Sequence, residues 1–316
     1  MSTTTVRPRR PAKTGSMITS VLKRLIHPKH FWQVIKLKRA KAKLTRAYDD
    51  PQLKLYAELL PGGFLHYGYF DDPAIKPQDM SLNDIMRAQR RHSEWVVSLI
   101  TDRRSPVLDV GCGMGGLVGL MLEEGIRPVA LSPDRNQVRH VKGKYPNVSV
   151  IEAKFEDIPL AGNEQRYGTI VTSESLQYLN LDVALPLIER LLKSGGRWIA
   201  YDYFRVGDAK EKSGHFWSDF EKRVQQAGWQ FVHQQDHTPN VVPTLKYIHM
   251  WGNDIARPVV DFSVGKLKSK QPHVHYILAE AIDEINRKLD KNLDVVNPDT
   301  FAAHKRYMLL ALEKVA

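Results

Sequence analysis

The chain has 316 residues, of which 42% are hydrophobic and 26% are charged, and it carries a net charge of +11. This composition is typical of a soluble globular protein with a substantial core, and no apolar run reaches the roughly 18 residues of a membrane-spanning helix. The single cysteine, Cys112, excludes an internal disulfide framework and fits the reducing cytoplasm.

The basic charge is concentrated at the start of the chain. Residues 1–46 contain 13 of the 46 Lys and Arg residues and no acid, so the rest of the chain, with 33 basic and 35 acidic groups, is close to neutral. This distribution disfavours a domain-wide nucleic-acid footprint. Residues 1–16 are rich in Ser, Thr, Pro and basic residues, which predicts a disordered leader.

Residues 17–58 are predicted to form a basic amphipathic helical segment, in which Phe31, Trp32 and Ile35 stand among lysines and Arg39. Three interpretations are open for its basic part, residues 17–46. It lies on an anionic membrane surface, it packs on the body with a solvated basic face, or it is an organelle transit peptide, against which its lysine content argues.

From about residue 104, short β-branched strands alternate with helical segments. In chain order the predicted elements are the strand "PVLDV", the helix "GGLVGLMLEEG", the strand "RPVAL", a helix from Pro133 to about Lys144, the strands "VSVIEA" and "YGTIVTS", the helix "LDVALPLIERLLKSGG" and the strand "RWIAYDYF". This alternation predicts an α/β fold with a doubly wound, mostly parallel sheet.

The predicted domain organisation places a core at residues 59–244, preceded by the N-terminal helices. Residues 245–300 break the alternation, and "YILAEAIDEINRKLD" reads as one long helix of a C-terminal helical cap or insertion. Residues 301–316 are expected to complete the core.

The most specific motif is "VLDVGCGMGG", residues 107–116, which follows the first strand and opens the first helix. Gly111, Gly113 and Gly115 permit a tight turn and let the backbone approach a ligand closely, and Asp109 precedes them. A phosphate-binding loop of the GxxxxGK[ST] type would need a lysine, and none follows here.

These features resemble the class I S-adenosylmethionine (SAM) dependent methyltransferases over about residues 60–245. "LDVGCGMGG" is similar to their first motif, and "LLKSGGR" to the turn before their fifth strand. The segments "LHYGYF", "AQRRHSEWV", "LSPDRNQV", "SESLQYL" and "DHTPNVVPTL" are most similar to the sterol, tocopherol and cyclopropane-fatty-acid branch. The resemblance implies a Rossmann-like fold, methyl transfer, and SAM as the cofactor.

By this resemblance, the loop from Gly111 to Gly115 passes under the methionine and ribose of SAM, while Asp109 organises the loop and the cofactor's amino group. Phe155 offers a backbone amide to the adenine edge, and Glu156 accepts from its amino group. The other cofactor-binding residues that the resemblance implies are Tyr67, Cys112, Leu131, Ser132 and Ser173.

Two positions depart from the family pattern. Ala130 stands where many members carry an acid that binds both ribose hydroxyls, so Ser132 or a water is the alternative. Lys154 stands where an Asp is common, and it is equally well read as a surface lysine.

The candidate catalytic residues follow strands four and five, at the edge where open α/β sheets bind ligands. Glu174 is expected to orient an acceptor hydroxyl or to stabilise a developing cation; alternatively it is an acid at a helix N-terminus. Tyr178 stands where relatives commonly carry a histidine base. Asp202 either faces the pocket or accepts backbone amides, and His237 is a weaker base candidate.

The stretch "GGFLHYGYF", residues 62–70, combines three glycines with five rings. We predict that it forms a lid over the active site, which makes His66 a candidate base and places Tyr67 and Tyr69 beside the sulfonium or the acceptor. The alternative is a buried corner of the core.

The many aromatic residues near the expected pocket, with the basic leader, favour a small lipophilic acceptor: a lipid, sterol, quinone or prenyl compound methylated on carbon or oxygen. The alternatives are a soluble secondary metabolite, or RNA or protein recognised by a basic arm at residues 1–46. "TSES" stands where base-modifying amine methylases have NPPY. No metal is predicted, since neither "HPKH" nor "HVH" has partner ligands at the right spacing. The oligomeric state does not follow from the sequence.

Overall fold

The computed structural model describes residues 51–209 and 213–315, together with positions 28, 29, 32, 33 and 36. The predictions for residues 1–16, and for most of 17–58 including its proposed membrane contact, lie outside the described residues. Within residues 17–50 the five described positions are helical, and Trp32 is exposed. In the described part of the chain, no helix is long and apolar enough to cross a membrane.

Residues 51–209 and 213–315 form eleven α-helices. In chain order they are α1 (Pro51–Leu59), α2 (Leu82–Ser98), α3 (Gly116–Glu123), α4 (Arg135–Lys144), α5 (Leu181–Leu191), α6 (Trp217–Gln226), α7 (Thr238–Trp251), α8 (Arg257–Lys270), α9 (Pro272–Ile277), α10 (Ala279–Val295) and α11 (Pro298–His304). A π-helical turn, Gly252–Ala256, joins α7 to α8, and a short 3-10 turn, Leu176–Tyr178, follows the fourth strand.

Seven strands form one sheet in the order β3-β2-β1-β4-β5-β7-β6. They are β1 (Val107–Val110), β2 (Pro128–Ser132), β3 (Ser149–Glu152), β4 (Tyr167–Ser173), β5 (Leu192–Arg205), β6 (Trp229–Asp236) and β7 (Lys305–Lys314). Strands β1 to β5 are parallel, and β7 pairs antiparallel with both β5 and β6. The predicted doubly wound, mostly parallel α/β fold is therefore confirmed.

Helices cover both faces of the sheet. The adjacent β5 residues Trp198 and Ile199 lie in different apolar clusters, because successive side chains of a strand point to opposite faces. Trp198 packs with residues of α5 and α6, whereas Ile199 packs with residues of α2, α3 and α7. Burial on both faces explains why the central strands read as continuous apolar runs rather than alternating ones.

Three predicted boundaries differ in the structure. The helix expected to run into the glycine pair ends at Leu191, and "LKSGG" belongs to β5, whose register with β4 shifts at this end. The long helix expected at 276–290 is broken at Leu278, between α9 and α10. The predicted boundary between 244 and 245 falls inside α7, since Pro243 lies within that helix rather than ending it.

Candidate active site

Two adjoining cavities lie at the carboxyl ends of β1, β2 and β4, where the direction of sheet growth reverses. The first, of about 390 Å³, is lined by the loop after β1, the residues after β2 and β4, and part of the lid stretch. The second, of about 470 Å³, lies beyond β2. Because both are lined by Gly111, Pro133, Ser175 and Tyr178, they form one continuous cleft.

The glycine loop is shaped by close backbone approaches. Gly111 has a φ of 80°, in the left-handed region, and a Cβ placed on it would lie 2.6 Å from Cβ of Ser175. The amides of Gly111 and Cys112 both donate to the carbonyl of Leu131, at 2.9 and 3.1 Å. The loop is therefore fastened to the end of β2 and presents its backbone to the first cavity.

Asp109 lies in the wall of the first cavity with an unsatisfied carboxylate oxygen. The residue is buried, and no hydrogen-bond donor among the described residues reaches Oδ2. Burial raises the pKa of Asp109 to about 7. A buried carboxylate with a free oxygen fits a cationic donor, such as the ammonium group of SAM.

Polar side chains after β2 line the same cavity, whereas Ala130 does not. Ala130 is buried in an apolar cluster beneath it. The hydroxyl of Ser132 donates to Gln137 Oε1 at 2.7 Å and accepts from the Asp134 amide at 3.1 Å. Asp134 and Gln137 line the cavity too. Sequence reasoning missed both, although they lie in the quoted segment "LSPDRNQV".

The second cavity contains the residues expected around an adenine ring. Leu131, Phe155 and Glu156 line it, and Phe155 is buried. Glu156 Oε1 accepts from the Asn180 amide at 3.2 Å. Lys154 also lines this cavity, with an exposed side chain. Apolar residues with a flanking carboxylate fit a flat, nitrogen-rich ring.

Glu174 occupies a specialised position in the first cavity. Its φ of 48° is rare for a residue with a Cβ. Its Oε1 atom accepts from the Tyr67 amide at 2.9 Å and from the Tyr307 hydroxyl at 2.6 Å. Burial raises the pKa of Glu174 to about 7, although both hydrogen bonds act to lower it. A carboxylate of this kind is poised to take or release a proton near neutral pH.

A buried network of rings supports Glu174 from behind. The His92 ring lies between the rings of His66 and Tyr201, with centroids 3.9 and 3.8 Å away. Its Nε2 atom lies 2.9 Å from the Tyr307 hydroxyl oxygen. When Tyr307 gives its one proton to Glu174, His92 is the donor to Tyr307. Burial lowers the pKa of His92 well below its usual value, so the imidazole is neutral.

The lid stretch divides between cavity wall and core. Gly63, Phe64, Leu65 and His66 line the first cavity, and the carbonyl of Gly63 accepts from the Gly116 amide at 3.1 Å. Tyr69 is buried against Trp95 and His237 and lines neither cavity.

Two polar residues of the lid stretch, His66 and Tyr67, are fixed by contacts within the protein. Both nitrogens of His66 are engaged, with the Tyr67 carbonyl at 2.8 Å and the Ser93 hydroxyl at 2.9 Å, and burial lowers its pKa to about 4. Tyr67 supports Glu174 through its amide, and its ring packs on Phe301 and Tyr307 outside both cavities.

The remaining predicted residues also divide into those that line the cleft and those that lie outside it. Tyr178 lines both cavities and keeps 75% of its surface exposed, and Ser173 lines the first. Gly115 caps the start of α3 outside both cavities. Asp202 is buried beside them and accepts from the amides of Gln177 and Tyr203, at 3.2 and 2.8 Å. Burial and then Glu174 raise the pKa of Asp202.

The structure thus brings together part of the predicted set. The residues that line the cleft are His66, Asp109, Gly111, Cys112, Gly113, Leu131, Ser132, Phe155, Glu156, Ser173, Glu174 and Tyr178. The aromatic residues expected around the pocket are Phe64, Tyr67, Tyr69, Phe70, Tyr178, Tyr201, Tyr203, Phe204 and Trp217. Of these nine, Phe64 and Tyr178 line the cleft and the other seven do not. Among the described residues, no group of three or more His, Cys, Asp or Glu side chains could hold a metal ion.

Comparisons with known proteins agree with this geometry. Residues 107–196 match the family model described as a methyltransferase domain. An uncharacterized methyltransferase of Alkaliphilus oremlandii is 26% identical over 135 residues, 42% of this chain and 61% of the relative. The sterol 4-C-methyltransferase of Caenorhabditis elegans is 26% identical over 117 residues, 34% of each protein. The chain thus spans less than two thirds of the length of these relatives.

Among solved structures, the fold is shared with the geranyl diphosphate C-methyltransferase of Streptomyces coelicolor. The TM-score is 0.61 at 14% identity, over 87% of this chain and 97% of that one. At this identity the likeness concerns the fold alone, and it covers more of this chain than the residues that the family model matches.

Proposed function

We propose that this chain, which carries a class I SAM-dependent methyltransferase domain with SAM as its cofactor, transfers the methyl group of SAM to a small lipophilic acceptor. The observation that carries the proposal is the Glu174 carboxyl, which lines the cleft with a pKa of about 7. A group with this pKa can remove a proton from the acceptor or face a positive charge that develops on it.

The cleft has the parts needed to hold the cofactor. Asp109 would bind its ammonium group, the backbone of Gly111 and Gly113 its methionine portion, and Ser132 with Gln137 its ribose. The second cavity would take the adenine. When bound, SAM supplies an electrophilic methyl group on sulfur. Methyl transfer is an in-line displacement, so the chain's main task is to align the acceptor and exclude water.

Glu174 would act on the acceptor from the wall of the first cavity. Tyr67 and Tyr307 hold Oε1, which leaves Oε2 for the acceptor. His66 is a wall residue in this proposal rather than a base, because both of its nitrogens are engaged. Asp202 would lie behind the cleft, where burial and the neighbouring Glu174 raise the pKa of its carboxyl.

The lipophilic class of acceptor is supported by the lining and by the relatives. Phe64, Leu65 and Leu117 contribute apolar side chains beside Glu174. The compared proteins include a sterol C-methyltransferase and a geranyl diphosphate C-methyltransferase, and both of these names describe acceptors with large apolar parts.

The test measures transfer of a labelled methyl group from SAM to compounds in fractionated cell extract. The labelled products are then partitioned between an organic solvent and water. We expect label in the organic phase with the wild-type chain. Glu174→Gln should keep SAM affinity by calorimetry and lose transfer by about a hundredfold or more. The matched control is Glu189→Gln, a surface acid paired with Lys314, which should transfer normally. Equal methylation of water-soluble phenols would contradict the lipophilic acceptor.

A further inference from the structure

An exposed apolar stripe runs along the helical region that follows β6. It consists of Trp251, Ile255, Val259 and Phe262, a spacing that brings side chains onto one face of a helix. Phe262 keeps 67% and Val259 58% of its accessible surface, and the other two are exposed as well. We call these four residues the cap stripe. Contiguous apolar exposure of this kind marks interaction surfaces.

The inner side of the same region is already packed against α10. A Cβ placed on Gly252 would lie 2.1 Å from Leu293 Cδ2, so the π-helical turn touches α10 at this point. Arg257 forms an ion pair with Asp290 on the same helix. The cap stripe is therefore a second face, which the cap's own packing leaves open.

Basic side chains continue from the cap stripe toward the end of α8. The Lys266 Nζ atom lies 5.6 Å from the centre of the Phe262 ring, and Lys268 and Lys270 are exposed. Helix α8 carries four basic residues against one acid, Asp261. Apolar side chains that end in a basic cluster are typical of helices lying in the interface of an anionic bilayer. The same charge opposes pairing with a second copy through this face.

We propose that the cap stripe, with Lys266, Lys268 and Lys270, binds an anionic membrane surface. The apolar side chains would enter the headgroup region, while the lysines contact lipid phosphates and carboxylates. Helix α7 leads into the stripe and also holds the lid, since Thr244 accepts from the Gly68 amide at 3.0 Å. A membrane contact at the cap stripe would therefore act on a helix that also contacts the lid. The inference does not rest on the proposed acceptor, because binding is measured without turnover.

The test is co-sedimentation of the full chain with vesicles of phosphatidylcholine and phosphatidylserine in equal parts, and with phosphatidylcholine alone. We expect binding to the anionic vesicles that weakens as salt is added. Val259→Ser with Phe262→Ser should weaken it about tenfold or more. Lys266→Gln, Lys268→Gln and Lys270→Gln together should weaken it about a hundredfold.

The matched control is Val183→Ser, an exposed valine on α5, which should bind vesicles as the wild type does. SAM affinity by calorimetry should be unchanged in every variant, which shows that the fold is intact. Absence of wild-type binding would overturn the proposal. So would unchanged binding by the cap-stripe variant, because the membrane contact would then lie elsewhere in the chain. Light scattering that shows a dimer dissociated by Phe262→Ser would instead identify a contact between copies.

Discussion

Glu174 stands in a left-handed backbone conformation that costs a residue with a Cβ on the order of 1 kcal/mol or more. The conformation is held by groups that come from opposite ends of the domain: the Tyr67 amide, the Tyr307 hydroxyl, and the Tyr201 carbonyl, which accepts from the Glu174 amide at 3.0 Å. A residue with a strained backbone, whose carboxyl accepts two hydrogen bonds and whose amide donates a third, is a common feature of functional sites.

Tyr307→Phe tests the tuning of Glu174. The Tyr307 hydrogen bond favours the ionised carboxylate and so lowers its pKa from the value that burial alone would give. Its loss should raise the pKa of Glu174 by about one unit. The base form then appears only at higher pH, so transfer at pH 7 should fall about fivefold and recover at higher pH. The measurement is a pH–rate profile.

Tyr167→Phe is the matched control for this shift. Tyr167 is buried and donates to Asn163 Oδ1 at 2.5 Å, so it also loses one hydrogen bond, but it does not contact Glu174. Its profile should keep the wild-type midpoint. If the midpoints of both pH–rate profiles moved equally, the effect of Tyr307→Phe would come from a general loosening of the fold and not from the pKa of Glu174.

Asp109→Asn tests the buried acid beneath the loop. The folded pKa of about 7 lies above the usual aspartate value of 3.8, so protonation favours the folded state. This contribution is complete below about pH 3.8 and is lost as pH rises through 7. The Asn variant cannot ionise, so without cofactor it should be more stable than the wild type at pH 8, by on the order of a few kcal/mol. Urea unfolding at pH 5 and pH 8 measures the difference.

The same substitution should weaken SAM binding, because the amide cannot offer a charged acceptor to the ammonium group. Calorimetry checks this. An unchanged SAM affinity, or wild-type stability that does not fall between pH 5 and pH 8, would contradict the role given to Asp109.

At the scale of elements, the glycine loop depends on its contact with the segment after β4. Gly111→Ala should abolish SAM binding, since the new Cβ meets Ser175 at 2.6 Å in a conformation already unfavourable for alanine. Gly143→Ala is the control: it lies in α4 with nothing within 4 Å of the added Cβ, and should stabilise the helix by roughly 0.5–1 kcal/mol. Calorimetry measures SAM binding by each variant, and urea unfolding measures its stability. SAM binding by Gly111→Ala would contradict the prediction, because it would show that the loop tolerates a side chain.

Parts of the site whose contacts are close together in the sequence can be predicted from it, whereas parts whose contacts are far apart in the sequence cannot. Asp109 and the glycine loop lie within ten residues on one strand–turn–helix unit, so local pattern predicts them. Tyr307 is 133 positions from Glu174, and the two meet only because β7 inserts antiparallel between β5 and β6. A lone tyrosine in an apolar strand carries no local sign of that contact. For the same reason, the prediction that many aromatic residues near the motifs line the cleft was too broad, because closeness in the sequence does not fix which way a ring points.

At the scale of the whole molecule, Thr244 links the helical region to the lid. Its hydroxyl accepts from the Gly68 amide at 3.0 Å and donates to the Gly68 carbonyl at 3.3 Å, and the residue is buried. The lid in turn pairs with the glycine loop through Gly63 and Gly116. A chain of backbone contacts therefore runs from α7, across the lid, to the cofactor loop.

Thr244→Val keeps the shape of the side chain and removes both hydrogen bonds, which leaves the buried Gly68 groups unpaired at a cost of about 1–3 kcal/mol. Thr169→Val is the control, because among the described residues Thr169 Oγ1 is buried without a hydrogen-bond partner, so its loss should be neutral or stabilising. We expect Thr244→Val to lower the urea midpoint and to weaken SAM binding, because the loosened lid no longer supports the loop. If Thr244→Val lowered stability but left SAM affinity at the wild-type value, the lid and the cofactor loop would be independent, and the coupling through Gly63 would be wrong.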